Sequence, residues 1–200
     1  MLLVAQTAQA SDISVRAPQL AVNEDGFSLS ADFNVNFNPR LEEAVNKGVV
    51  LYFSVDFELT RSRWYWIDEK ISQRSRIFQL SYHALTRQYL LSSGVLHQSY
   101  ATLDEALHIM SRLRNWQVLE KGEAKTGQAY QAGLRMRLDL TQMPKTFQVG
   151  ALSNKDWDLS SNWLYWPFVP AEEMKAESGA GGSSSTLPAA SSAAVSGDGK

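Results

Sequence analysis

The stretch VVLYFSVDFELT, residues 49–60, alternates without a break. Val49, Leu51, Phe53, Val55, Phe57 and Leu59 fall on one side, and Tyr52, Ser54, Asp56 and Glu58 on the other. Successive side chains of a β-strand point to opposite faces, so this pattern gives one face to a core and the other to a polar surface. A helix would scatter the same apolar residues around its circumference. At strand rise the segment spans roughly 40 Å. Burying each of its large side chains contributes roughly 1.5–3 kcal/mol. The strand is therefore expected to be the spine of a sheet.

Other segments share the period. ISVRAPQLAV and FSLSADFNVNF, joined at Asn23–Gly26, read as two strands and a turn, with Phe27, Leu29, Ala31, Phe33, Val35 and Phe37 on one face. The first changes parity around Pro18, where a bulge or a sheet edge is expected. YQAGLRMRLDL places Tyr130, Ala132, Leu134, Met136, Leu138 and Leu140 inside and Arg135, Arg137 and Asp139 outside. ISQRSRIFQLSYHALTRQYLLSSGVLHQSYA reads as two or three strands.

Two segments carry helix signals instead. In NPRLEEAVNKG, Asn38 is a cap, Pro39 suits the first turn, Glu42 and Glu43 favour the positive end and Gly48 stops the helix. In TLDEALHIMSRLR, Thr102 and Glu105 form a capping box, and Leu103, Ala106, Leu107, Met110 and Leu113 form the apolar stripe. About seven strands with two short helical insertions predict an antiparallel β-sandwich, immunoglobulin-like in broad architecture. The alternative is an α+β fold with the helices across one open sheet. Strand order does not follow from the pattern.

Composition bounds the domain and its chemistry. The 200 residues, 44% hydrophobic with six Trp, seven Tyr and eight Phe, suffice for one core. Residues 11–170 form the expected sandwich domain. Within them basic and acidic residues balance, which argues against nucleic-acid binding. The absence of cysteine removes disulfides, thiol catalysis and Cys-ligated zinc. MLLVAQTAQA ends in Ala8-Gln9-Ala10, a small-x-small pattern, so residues 1–10 read as the remnant of a signal peptide and the protein as exported. No segment approaches the ~20 apolar residues of a membrane span. Residues 171–200, rich in Ala, Ser and Gly and lacking aromatics, are expected to be a disordered tail.

Little in the sequence points to catalysis. His83, His97 and His108 have no ligand-spaced partners, and no metal or cofactor is expected. H-E-x-x-H, G-x-S-x-G, S-x-x-K, P-loop and G-x-G-x-x-G motifs are absent. Asp56 and Glu58 share a strand face near Arg61 and Arg63, which admits a hydrolase reading; a solvated face with weak cross-strand pairs is the plainer one. RSRWYWIDEK concentrates Arg61, Arg63, Trp64 and Trp66, while Trp157, Trp163 and Trp166 cluster near the other end. An antiparallel fold can bring the two regions together with an arginine over a ring. The result would be either a binding platform or a seal over one end of the sandwich.

VVLYFSVDFELTRSRWYWIDEK, RIFQLSYHALTRQYLLSSG, SYATLDEAL and MPKTFQVGALSNKDWDLSSNWLYW together resemble a family of exported proteobacterial proteins, domain-of-unknown-function family 4390. The resemblance covers roughly Asp12 to Trp166. The chain departs in having Val49-Val50 where the family has Val-Pro, and Pro-Lys-Thr-Phe where Pro-Lys-Pro-Phe is usual. The resemblance implies a periplasmic location, and some members are associated with genes for a membrane sensor kinase. It brings no catalytic residue or cofactor. The expectation is a non-enzymatic binding or accessory protein whose partner is a sensor kinase or an envelope component. Its expected contact residues are Arg61, Arg63, Trp64, Trp66, Trp163 and Trp166. The alternatives are a binder of glycan fragments or lipid headgroups on the same rings, and an envelope hydrolase using Asp56 and Glu58. Oligomeric state is not legible.

Overall fold

The computed structural model describes residues 13–61, 69–143 and 157–171. The proposed leader remnant, almost all of the Ala/Ser/Gly-rich tail, and Arg63, Trp64 and Trp66 lie outside the described residues.

Nine strands and two helices follow in chain order. They are β1 (Ile13–Asn23), β2 (Gly26–Val35), α1 (Pro39–Asn46), β3 (Leu51–Arg61), β4 (Glu69–His83), β5 (Gln88–Ser93), β6 (Leu96–Tyr100), α2 (Leu103–Met110), β7 (Arg112–Glu120), β8 (Tyr130–Leu138) and β9 (Leu164–Phe168). A short 3-10 turn, Leu140–Gln142, follows β8. The strands form two antiparallel sheets, one ordered β1-β2-β7 and the other β6-β5-β4-β3-β8-β9. The fold is thus the expected mainly β, two-sheet arrangement and not one open sheet under helices. Both helices are crossovers between sheets: α1 joins β2 to β3, and α2 joins β6 to β7.

β3 is the spine that its alternation predicts. It pairs along its length with β4 on one side and β8 on the other. Leu51, Phe53, Val55, Phe57 and Leu59 are fully buried. They share one core with Leu29, Ala31 and Phe33 of β2 and with Tyr130, Ala132, Leu134, Met136 and Leu138 of β8. The helix caps form as read. Asn38 Oδ1 accepts from the Leu41 amide at 2.9 Å, and Thr102 Oγ1 accepts from the Glu105 amide at 3.2 Å while Glu105 reaches back. Each such cap stabilises its helix by about 1 kcal/mol.

Three sequence expectations change. The strands number nine among the described residues, not about seven: the run from Ile71 to Ala101 holds three, β4, β5 and β6, within the two or three expected, and RLRNWQVLE adds β7, which the pattern did not mark as a strand. The second helix ends at Met110, and Leu113 belongs to β7, where it is buried against β2. The parity change in β1 is a bulge: pairing slips between Arg16 and Gln19, and Ala17 takes φ 44°. β1 is also an edge strand, where a proline costs no ladder hydrogen bond.

Candidate functional site

The outward face of β3 is where the polar residues of the six-stranded sheet converge. Register places Asp56 opposite Arg135 and Ser54 opposite Arg137 on β8, and Asp56 opposite Ser75 on β4. Glu58 lies opposite Gly133, and Gly133 opposite Tyr165 on β9. Four strands therefore contribute to one surface.

Asp56 is its hub. Its carboxylate accepts from Ser54 Oγ and Ser75 Oγ, both at 2.8 Å, from Arg135 Nη2 at 3.1 Å and from Arg137 Nε at 3.2 Å. Asp56 is 7% exposed. Burial alone would push its pKa up, but the hydrogen bonds from Ser54, Ser75, Arg135 and Arg137 outweigh it and hold the carboxyl below the ordinary aspartate value. A carboxylate so saturated stays ionised and has no free lone pair for a substrate proton. Its role is to hold the two arginines.

Arg135 passes that order outward. Its guanidinium lies under the Trp163 ring, 4.6 Å from the centroid. Its Nε is buried without a hydrogen-bond partner, so the ring face is the compensation this cation receives on that side. Trp163 stacks on Tyr165 with centroids 5.7 Å apart and planes 18° from parallel. Tyr165 donates its hydroxyl to Glu58 Oε1 at 2.9 Å, and Lys70 Nζ lies 3.7 Å from Glu58 Oε2. Burial, followed by the hydrogen bond and charge of Glu58, pushes the Tyr165 phenol above its ordinary value. The result is an aromatic pair that is partly exposed yet fixed from below by charge-assisted contacts.

The expected contact residues are distributed unevenly around this surface. Trp163 lies in it. Trp166, two strand positions from Leu164, stands opposite Ala132 and packs on the core, so it belongs to the inner side of the sheet. Trp157 also packs against the core, and Trp116 on β7 is buried. Arg61 is engaged at the end of β3, with Nη1 3.3 Å from Gln128 Oε1 and Nη2 paired with Glu69. Arg63, Trp64 and Trp66 fall outside the described residues. The reading of Asp56 and Glu58 as a catalytic pair meets a hub carboxylate and a tyrosine-bound one. Missing from the sequence reading are Arg135, Arg137 and Tyr165 as partners. Their outward parity is visible in YQAGLRMRLDL and NWLYW, but not which strands are neighbours.

The histidines make local contacts: His97 Nδ1 lies 2.7 Å from Ser92 Oγ, and His83 Nδ1 3.0 Å from Thr86 Oγ1. Among the described residues, no three His, Asp or Glu side chains are grouped to hold a metal ion, and no helix is long and apolar enough to cross a membrane.

No curated protein and no solved structure matches this chain. One family model does, over residues 10–167, which takes in β1 to β8 and all but the last residue of β9, and so the strands that build the outward surface. The chain belongs to that family, described as Domain of unknown function (DUF4390).

Proposed function

We propose that this protein is a non-enzymatic, exported accessory protein of the periplasm that docks a protein partner of the cell envelope, a membrane sensor kinase being the candidate. The docking surface is the outward face of the six-stranded sheet centred on Trp163 and Tyr165. The observation that carries this reading is the Trp163–Tyr165 pair, stacked and held by Arg135 and Glu58. Large aromatic rings dominate protein contacts because they supply area at low entropy cost, and rings already fixed in place lose less on binding. The small-x-small motif at Ala8–Ala10 supports export.

Retention of envelope proteins on the immobilised wild-type chain and on a Trp163→Ala, Tyr165→Ala double variant tests the proposal. A protein held by the first and released by the second, at equal melting temperature, supports it. Equal retention by both chains overturns the assignment of this face. A small molecule released from the native chain, and absent from the double variant, would replace the protein partner with a glycan fragment or lipid headgroup.

A further inference from the structure

A second surface lies toward the other edge of the six-stranded sheet. β5 and β6 are joined by the two-residue turn Gly94–Val95, whose φ of 60° at Gly94 suits glycine. The turn presents Val95, 95% exposed, and beside it Leu96, 65% exposed. Ile77 of β4 and Ile109 of α2 add further exposed aliphatic surface. Leu96 and Ile109 line a cleft with Arg76, Arg112 and Arg114, and Ile77 and Gly94 line another that also contains Arg76.

The cations of this corner are unevenly compensated. Arg114 pairs with Asp32 at 2.5 Å. Among the described residues neither Arg76 nor Arg112 makes an ion pair. Arg76 instead lies over the Trp116 ring, 5.5 Å from its centroid. A half-buried guanidinium with only a ring for company keeps a strong demand for an anion.

We infer that this corner docks reversibly onto an anionic lipid bilayer, with Val95 and Leu96 entering the headgroup–acyl boundary and Arg76 and Arg112 meeting lipid phosphates. Protruding aliphatic side chains beside arginines that make no ion pair among the described residues match both components of interfacial binding, apolar insertion and attraction to anionic headgroups. The rigid aromatic rings that mark protein hot spots are absent from the tip, where the exposed side chains are aliphatic. Two inserted side chains and two cations make a weak anchor, so binding is peripheral. The inference is independent of the docking face at Trp163.

Co-sedimentation of the full chain with phosphatidylcholine vesicles and with mixed phosphatidylcholine–phosphatidylglycerol vesicles tests it. Retention is expected on the anionic vesicles and should weaken as salt is raised. Val95→Asp combined with Leu96→Asp should lower retention about tenfold or more. Arg112→Gln should lower it about fivefold. These side chains are exposed, so the melting temperature should not move; a circular-dichroism melt of each variant checks this. Binding to neutral vesicles as strong as to anionic ones, or binding that the double Asp variant leaves intact, overturns the inference. A wild-type chain that stays in the supernatant with the anionic vesicles overturns it too.

Discussion

The Tyr165 ring crosses directly over Gly133 to reach Glu58, two strands away, with a hydrogen bond of 2.9 Å. A Cβ on Gly133 would stand 2.6 Å from Tyr165 Cε1 and 3.3 Å from Glu58 Cγ. The absence of a side chain on β8 is therefore what lets a residue of β9 bond to one of β3. Gly133→Ala should push the ring off the sheet and break the bond. A net loss of about 1–2 kcal/mol is expected, overpacking outweighing the entropic gain of alanine. Urea unfolding measures it, and partner retention should fall in the same variant.

Asp56→Asn should be more damaging than its position on an outward face suggests. It leaves Arg135 facing a neutral group, leaves Arg137 with only the longer pair to Asp139 at 3.7 Å, and disturbs the support of Trp163. The two arginine side chains keep some solvent contact, so a loss of about 2–4 kcal/mol is expected rather than the largest values for broken buried pairs. Urea titration of wild type and variant gives the difference directly.

The same carboxylate sets an acid dependence. Its folded-state pKa lies below the unfolded value, so its contribution is present above the unfolded aspartate value of about 4 and is lost as pH falls through the folded value. The stability gap between wild type and Asp56→Asn should thus be constant near neutrality and shrink as the solution is acidified below about pH 4. A gap that widened in acid would contradict the assignment of Asp56 as the ionised hub.

Phe53→Asp should abolish folding. The ring is fully buried near the start of β3, tilted against Phe37, and an unpaired carboxylate there has no donor to satisfy it. Loss of the cooperative melt in circular dichroism is the expected result.

Much of this architecture was legible in single segments. The alternation of Val49 to Leu59 marked the buried face of β3, and that of Tyr130 to Leu138 the buried face of β8, because a strand's period of two is a local property. Asn38, Thr102 and Glu105 announced both helix starts, since capping bonds join residues three apart. Less legible was the break between α2 and β7. Leu113 continues the helical stripe, yet it is buried as a strand residue opposite Ala31, where pairing with β2 prevails over helical spacing. Trp163 and Trp166 look alike in sequence, but strand parity sends the first outward and the second to the core.

Local chemistry in the chain determined which segments are strands, which face of each is apolar, and where the helices begin. It also supplied the family's identity through long runs of specific residues. Only the tertiary structure decided that Asp56 meets Ser75 and Arg135 and that Glu58 meets Tyr165, because these contacts depend on strand order and register between segments far apart in the chain. Those are settled by the packing of the whole core, which no single segment carries.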